Sequence, residues 1–388
     1  MASRTLVLIL IVALLAWPAT AIEKAPIGEY QVRRLKLGEQ IRGNVLVLTA
    51  AKEEELVEYY QEKNFFYLTG FDEPDATLVL DATKTPAQDT LFIPARNPAQ
   101  EQWTGVRTAP GAEAEKATGL SKVLANSELE KTLNAYREAG VPIIGLKEVE
   151  AKIAALRQVK SPFEVAMIEK AIAATMKGIQ AAAKTIAPGV MEYEVEAALE
   201  FEFRKNGSER PGFPSIVGSG PFSTILHYNA NTRKMQANET VVVDVGAEYS
   251  GYSADVTRTF PTSGKFSPRQ REIYQIVLDA QKAAIAKVKP GVTIREIHAE
   301  AFNYIRSKNY EKYFIHGTSH HLGLDVHDVG DTTRKLEAGM VITVEPGIYI
   351  PDENLGIRIE DDFLVTATGS RWLSPLPKEI REIEEKKF

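Results

Sequence analysis

Two aspartates, two glutamates and a group of histidines are the residues whose types and spacing could do chemistry in this chain. Asp244 sits inside Thr240-Val241-Val242-Val243-Asp244-Val245-Gly246, a nearly unbroken apolar run that reads as a strand buried on both faces. A lone carboxylate buried there is costly, so it requires a cation or several donors. Asp255 lies in the next strand, Ser253 to Phe260, after a turn around Gly251 and Tyr252, and a hairpin of that length brings the two aspartates side by side. Close carboxylates repel unless a proton or a metal lies between them. The pattern recurs further on. Met340 to Glu345 is an apolar strand ending in a carboxylate, and Gly356-Ile357-Arg358-Ile359-Glu360 alternates so that Arg358 and Glu360 share a face. Of six histidines, His227, His316, His320, His321 and His327 lie in or near this scheme, on what reads as strand or extended loop from Phe314 to His327. The sixth, His298, falls on a helical pattern and reads as solvated. Four carboxylates with one neutral histidine suit two divalent cations.

The elements that position these residues form an internal duplication. Ser161-Pro162-Phe163-Glu164 is a helix start, with Ser161 as cap, Pro162 at the first helical position and Glu164 reaching back. The helix runs to about Thr185. Ser161-Pro162 recurs as Ser267-Pro268, and Pro188-Gly189-Val190 as Pro290-Gly291-Val292. The first copy is longer between these landmarks by four residues, about one helical turn. A second helix follows in each copy, where Glu194, Val195, Ala197 and Arg204 align with Glu296, Ile297, Ala299 and Arg306. Strands come next. Asp244 then corresponds to Glu345, Asp255 to Glu360 and His227 to His327, and a pseudo-twofold arrangement gathers them about one axis.

The first half reads as a separate mixed sheet-and-helix domain. Asn44 to Leu48 and Ala76 to Leu80 are β-branched apolar runs, hence buried strands of a mixed sheet, and Glu53 to Lys63 between them reads as a helix. This half has no histidine. The domain boundary is placed near Val159, giving a domain over 22–158 and another over 159–388. Residues 1–21 read as a cleavable signal peptide: Arg4, an apolar run from Leu6 to Trp17, then Ala19-Thr20-Ala21. The run is shorter than the roughly 20 residues a membrane span needs. The expected mature protein begins at Ile22 and is secreted or periplasmic. A net charge of −6 argues against a nucleic-acid partner. The absence of cysteine excludes thiol catalysis, cysteine-based zinc sites and disulfides.

Three blocks then carry a family resemblance: His316-Gly317-Thr318-Ser319-His320-His321-Leu322-Gly323-Leu324-Asp325-Val326-His327-Asp328, Val344-Glu345-Pro346-Gly347 and Gly356-Ile357-Arg358-Ile359-Glu360-Asp361. They resemble aminopeptidase P, the Xaa-Pro aminopeptidases of the pita-bread metallopeptidases. The likeness runs from about Tyr30 to Leu376. In the first half, Asn64 to Phe71 and Glu101-Gln102-Trp103 resemble the family's creatinase-like domain. The resemblance implies a mixed α/β (α+β) chain with a creatinase-like domain before a duplicated pita-bread catalytic domain. It implies a hydrolase that removes the first residue from peptides with proline second, using two divalent ions, manganese first, with cobalt, zinc or iron as alternatives. Asp244, Asp255, His320, Glu345 and Glu360 would hold the metals, with Asp255 and Glu360 bridging. His327 would stabilise the tetrahedral intermediate, His227 would assist the substrate or leaving amine, and Glu345 would take the nucleophile's proton. His316, Tyr349 and Arg358 form the substrate side: His316 lines the proline pocket and Arg358 pairs with Asp244. Arg358 also reads as a simple counter-charge, Tyr349 as core, and His321 as packing or rim. Trp103 reads as core, or as a residue reaching a neighbouring subunit of a homodimer or homotetramer. The alternatives are a prolidase restricted to Xaa-Pro dipeptides, a metal-free creatinase-type hydrolase and a non-catalytic peptide-binding relative.

Overall fold

The computed structural model describes residues 22–387. The proposed signal peptide lies outside the described residues, and among these no helix is long and apolar enough to cross a membrane.

The first half is built on a five-stranded mixed sheet. Val45–Thr49 pairs antiparallel with Thr77–Asp81, Val47 opposite Val79, and parallel with Ile143–Ile144. Gln88–Ile93 and Lys122–Ala125 extend the other edge. Every residue of Thr77–Asp81 is buried, as its continuous apolar run requires. The helix expected over Glu53 to Lys63 is absent: that stretch is irregular and mostly exposed up to Glu62. Glu53, Glu54, Glu55 and Glu58 crowd negative charge along it, and Leu56, Val57 and Tyr60, which would form its apolar face, find no core to cover them and stay exposed. The helix is instead Lys63–Thr69, where Phe65, Phe66 and Leu68 can be buried and the Glu62 carboxylate accepts the Asn64 and Phe65 amides. Trp103 is not core. It is 90% exposed, on the short helix Pro98–Thr104, which buries no side chain.

The second half shows the duplication as structure. Ser161 and Ser267 cap helices Pro162–Thr185 and Pro268–Ile285, each through a reciprocal box with Glu164 or Gln270. The helices span 24 and 18 residues, a larger difference than the landmark spacing implies. Glu192–Lys205 and Ile294–Ser307 follow. The residue before each second helix makes the same isolated antiparallel bridge, Met191 with Lys234 and Thr293 with Lys335. One copy then forms the antiparallel sheet of Ile216–Ser219, Thr240–Val245 and Val256–Pro261; the other forms Val341–Val344, Asp361–Val365 and Ser370–Trp372. Each also has a hairpin: Ala247–Tyr249 with Tyr252–Ser253, and Gly347–Ile350 with Leu355–Arg358. Both copies share one core, in which Val243, Val245, Ile342, Val344 and Ile357 meet Val195 and Ile297 from the helices. A second core crosses between the halves, joining Phe65 and Phe66 to Ile168, Tyr252, Leu322 and Leu324.

Candidate metal and peptide site

Between the two sheets of the second half lies a cavity of about 560 Å³ whose wall includes Asp244, Asp255, Glu345, Glu360 and His320. Asp244 is on the central strand Thr240–Val245, opposite Thr257 on one neighbour and Ile216 on the other. Asp255 lies between the hairpin strand Tyr252–Ser253 and Val256–Pro261. Glu345 directly follows Val341–Val344, its amide donating to the Thr318 carbonyl at 2.8 Å, and the Glu360 amide donates to the Thr257 carbonyl at 3.1 Å. Asp255, His320 and Glu360 each offer a ligand atom, all within 4.8 Å of one another.

The protonation of His320 is set by its neighbours. Its Nδ1 faces the His321 carbonyl at 2.9 Å, and a carbonyl only accepts, so Nδ1 carries the proton. In the neutral ring Nε2 then carries the lone pair, 3.4 Å from Asp255 Oδ2 and 3.5 Å from Glu345 Oε1. Among the described residues, Asp244 Oδ1, Asp255 Oδ1 and Glu360 Oε1 are buried oxygens with no hydrogen-bond partner. Burial, and then the charge of Asp244, push the Asp255 carboxyl far above its ordinary range; burial and the charge of Asp255 do the same to Glu360. Burial raises Glu345 to about 7, against the pull of His320 and Arg358. Four crowded carboxylates, three of them with an unshared buried oxygen, around one imidazole fit divalent cations, which would offset both the burial and the repulsion.

A hydrogen-bonded chain leads away from the carboxylates. Arg358 Nη2 donates to Asp244 Oδ2 at 2.6 Å, and Nη1 donates to the Tyr349 hydroxyl at 2.7 Å. His316 Nδ1 donates to the Gly317 carbonyl at 2.7 Å, so its Nε2 accepts from the Tyr349 hydroxyl at 2.9 Å. Burial and then the Arg358 charge hold the His316 ring neutral, its pKa lowered to about 3. Arg358 and His316 line the cavity; Tyr349 is buried behind them. Arg358 thus orients Asp244 as well as balancing its charge. His227 and His327 stand exposed at the mouth, ring centres 6.4 Å apart, and His327 meets the His320 ring edge-on at 4.4 Å. Phe213, Pro214, Ile216, Leu226 and Val326 form an apolar wall.

Two histidines outside the cavity wall resolve differently. His321 is buried, a packing residue. His298 is only half solvated: Nδ1 lies 2.9 Å from the Thr318 hydroxyl and the ring packs against Phe302 and Phe314, which orders the backbone beside His316. Burial lowers its pKa. Sequence reading also passed over Thr257, whose hydroxyl donates to Glu360 at 2.6 Å, and Thr343, whose hydroxyl accepts the His320 amide at 3.2 Å. Both lie two residues from a candidate ligand, Asp255 or Glu345, so strand alternation places them on the ligand face.

Residues 166–367 match Metallopeptidase family M24. The chain belongs to that family. Residues 30–142 match the aminopeptidase P N-terminal domain, so this M24 member carries both the N-terminal and the pita-bread domain that its motifs resemble. It is 35% identical to the Xaa-Pro aminopeptidase of Haemophilus influenzae, over 93% of this chain and 97% of that protein. It is 40% identical to the Xaa-Pro dipeptidase of Pyrococcus horikoshii, over 60% of this chain and 67% of that one. Aminopeptidase P from Escherichia coli, solved with the inhibitor Pro-Leu, superposes with a TM-score of 0.87 at 33% identity, covering 94% of this chain and 98% of that chain. The M24 chain is therefore a hydrolase of the metallopeptidase class, and its candidate ligands lie within the M24-matched segment.

Proposed function

We propose that this enzyme releases the first residue from peptides whose second residue is proline, with two divalent ions held by Asp244, Asp255, His320, Glu345 and Glu360. The observation that carries this reading is the set of unpartnered buried carboxylate oxygens facing one imidazole lone pair, in a chain similar along nearly its whole length to an Xaa-Pro aminopeptidase. Bound metal ions would acidify a water and polarise the scissile carbonyl. Glu345, a carboxylate beside the position of the nucleophile, is suited to take its proton and pass it on. His327 supports the oxygen that gains charge, and His227, across the mouth, serves the substrate or the departing imide nitrogen. Neutral His316 and the side of Arg358 line the pocket for the proline ring, which lacks an N–H and fixes the backbone. The oxygen-rich donor set with one imidazole suits manganese, cobalt, iron or zinc, and the family resemblance favours manganese. The exposed Trp103 supports a homo-oligomer, a dimer or tetramer, in which it meets a neighbouring subunit. Export through residues 1–21 is part of the same proposal.

The similarity to the Pyrococcus horikoshii dipeptidase gives a second reading, action on Xaa-Pro dipeptides alone. Mass spectrometry of products separates the two. Metal-stripped protein is offered an Xaa-Pro-Yaa tripeptide and an Xaa-Pro dipeptide, with and without manganese. The expected result is release of the first residue from the tripeptide only when metal is added. Cleavage of the dipeptide alone would make the enzyme a prolidase, and cleavage of neither with metal bound would remove the peptidase reading.

A further inference from the structure

Arg157 and Lys160 lie where the two halves join, far along the chain from every candidate ligand. Arg157 lies in the last turn of the helix Leu146–Gln158, and the Lys160 amide donates to the Gly339 carbonyl at 2.9 Å. Their side chains are 3% and 1% exposed, an unusual place for two cations. Both converge on Asp328, itself 1% exposed: Arg157 Nη2 is 2.5 Å from Oδ1 and Lys160 Nζ is 2.9 Å from Oδ2. Arg157 Nη2 also meets Asp325 Oδ2 at 2.6 Å, and Nη1 donates to the Asn64 side chain at 2.9 Å. Two positive and two negative charges thus balance inside the joint.

Asp328 is also where a loop closes. Its amide donates to the His321 carbonyl at 2.9 Å, and the two residues form an isolated antiparallel bridge. The loop from His321 to Asp328 is therefore a closed ring of chain. His320 and His327 are the residues immediately before its two ends, and their rings touch. Two glycines make room. A Cβ on Gly323 would collide with the Asp328 carboxylate, and one on Gly330 would collide with the His321 ring. Leu322 and Leu324, inside the loop, are buried in the core that crosses between the halves.

We infer that Arg157 of the first half and Lys160, just past the boundary, are positioning residues that through Asp328 hold the catalytic loop, fixing His327 over the reaction centre. Through Arg157, the N-terminal domain thereby contributes to turnover in its own subunit. The inference rests on the aminopeptidase reading for its kinetic consequence, and on geometry alone for its structural one. A misplaced group costs rate rather than binding, because the reacting geometry tolerates shifts of well under an ångström.

The test pairs Lys160→Met with Asp328→Asn, which removes one charge of each sign and leaves no bare ion in the joint. Four quantities are measured on the manganese-loaded full chain: kcat and KM on an Xaa-Pro-Yaa peptide, bound metal, and amide hydrogen exchange by segment. We expect kcat to fall about tenfold or more while KM and bound metal change less than about threefold, with faster exchange confined to residues 321–329. Asp325→Asn, on the half-exposed limb, removes one partner of Arg157 and so tests the first half's own hold on the loop, with an expected kcat fall of at least about threefold; it also carries the test should the double variant not fold. A kcat within about twofold of the parent, or exchange that quickens across the whole chain, overturns the proposal. If the parent itself cleaves no such peptide, the functional reading fails, and the exchange pattern still decides whether the joint holds the loop.

Discussion

A buried carboxylate oxygen without a donor is an expensive arrangement, and Asp244, Asp255 and Glu360 each hold one. Metal binding relieves that cost, so the same residues govern activity and the response of stability to metal. Asp255→Asn or Glu360→Gln should lower turnover by more than about 100-fold, the upper range for losing only an outer partner of a metal site. Bound metal, read by elemental analysis, should fall with it. The metal-free variants should melt no lower than the metal-free parent, because a repelling charge is gone, while added manganese should raise their melting temperature less than the parent's. Near-normal activity with full metal content in either variant would defeat the ligand assignment.

At the scale of elements, the two long helices set the spacing of everything that follows, and each begins with a serine cap. The Ser267 hydroxyl accepts only the cap bond from Gln270 at 3.2 Å. The Ser161 hydroxyl accepts from Glu164 and also donates to Glu29 of the first half at 2.5 Å. Ser267→Ala should therefore cost about 1 kcal/mol in denaturant unfolding with kinetics unchanged. Ser161→Ala should cost more, since Glu29, which also pairs with Arg33, then loses a partner in the joint between the halves. Equal losses at the two serines would show that the Glu29 contact adds nothing.

For the molecule as a whole, the pH response of folding should be read at the joint. Burial alone would raise the Asp328 pKa, but the Lys160 and Arg157 charges outweigh it and hold the carboxyl below its usual value. A carboxylate with a depressed folded pKa stabilises the fold fully above its unfolded pKa of about 3.9. That stabilisation fades as pH falls through the folded value. Melting curves of the parent and Asp328→Asn should thus differ most at neutral pH, by about 3–5 kcal/mol for a broken buried pair, and converge below about pH 4. A gap that persists into acid would mean that the ion pair is not its source.

The helix starts, the buried strands and the order of carboxylates and histidines were legible in the residues themselves, because caps, apolar runs and repeats are local patterns. Ser161 and Glu164, Asp244 within its valines, and the match of Asp244 with Glu345 needed no coordinates. Other features depend on which surfaces meet. Four glutamates defeated the helix expected near Glu53, and a short helix without a buried face left Trp103 in solvent. His298 reads as solvated on its own helix and is packed only because Phe314 and Thr318 return to cover it. The tautomers of His316 and His320 are fixed by carbonyls whose direction is set when their loops close. Asp328 stands 168 residues from Lys160, and nothing local pairs them. The sequence determined which groups could bind metal and peptide; the tertiary structure decided which of their atoms face the cavity, since burial and hydrogen-bond direction belong to the folded chain.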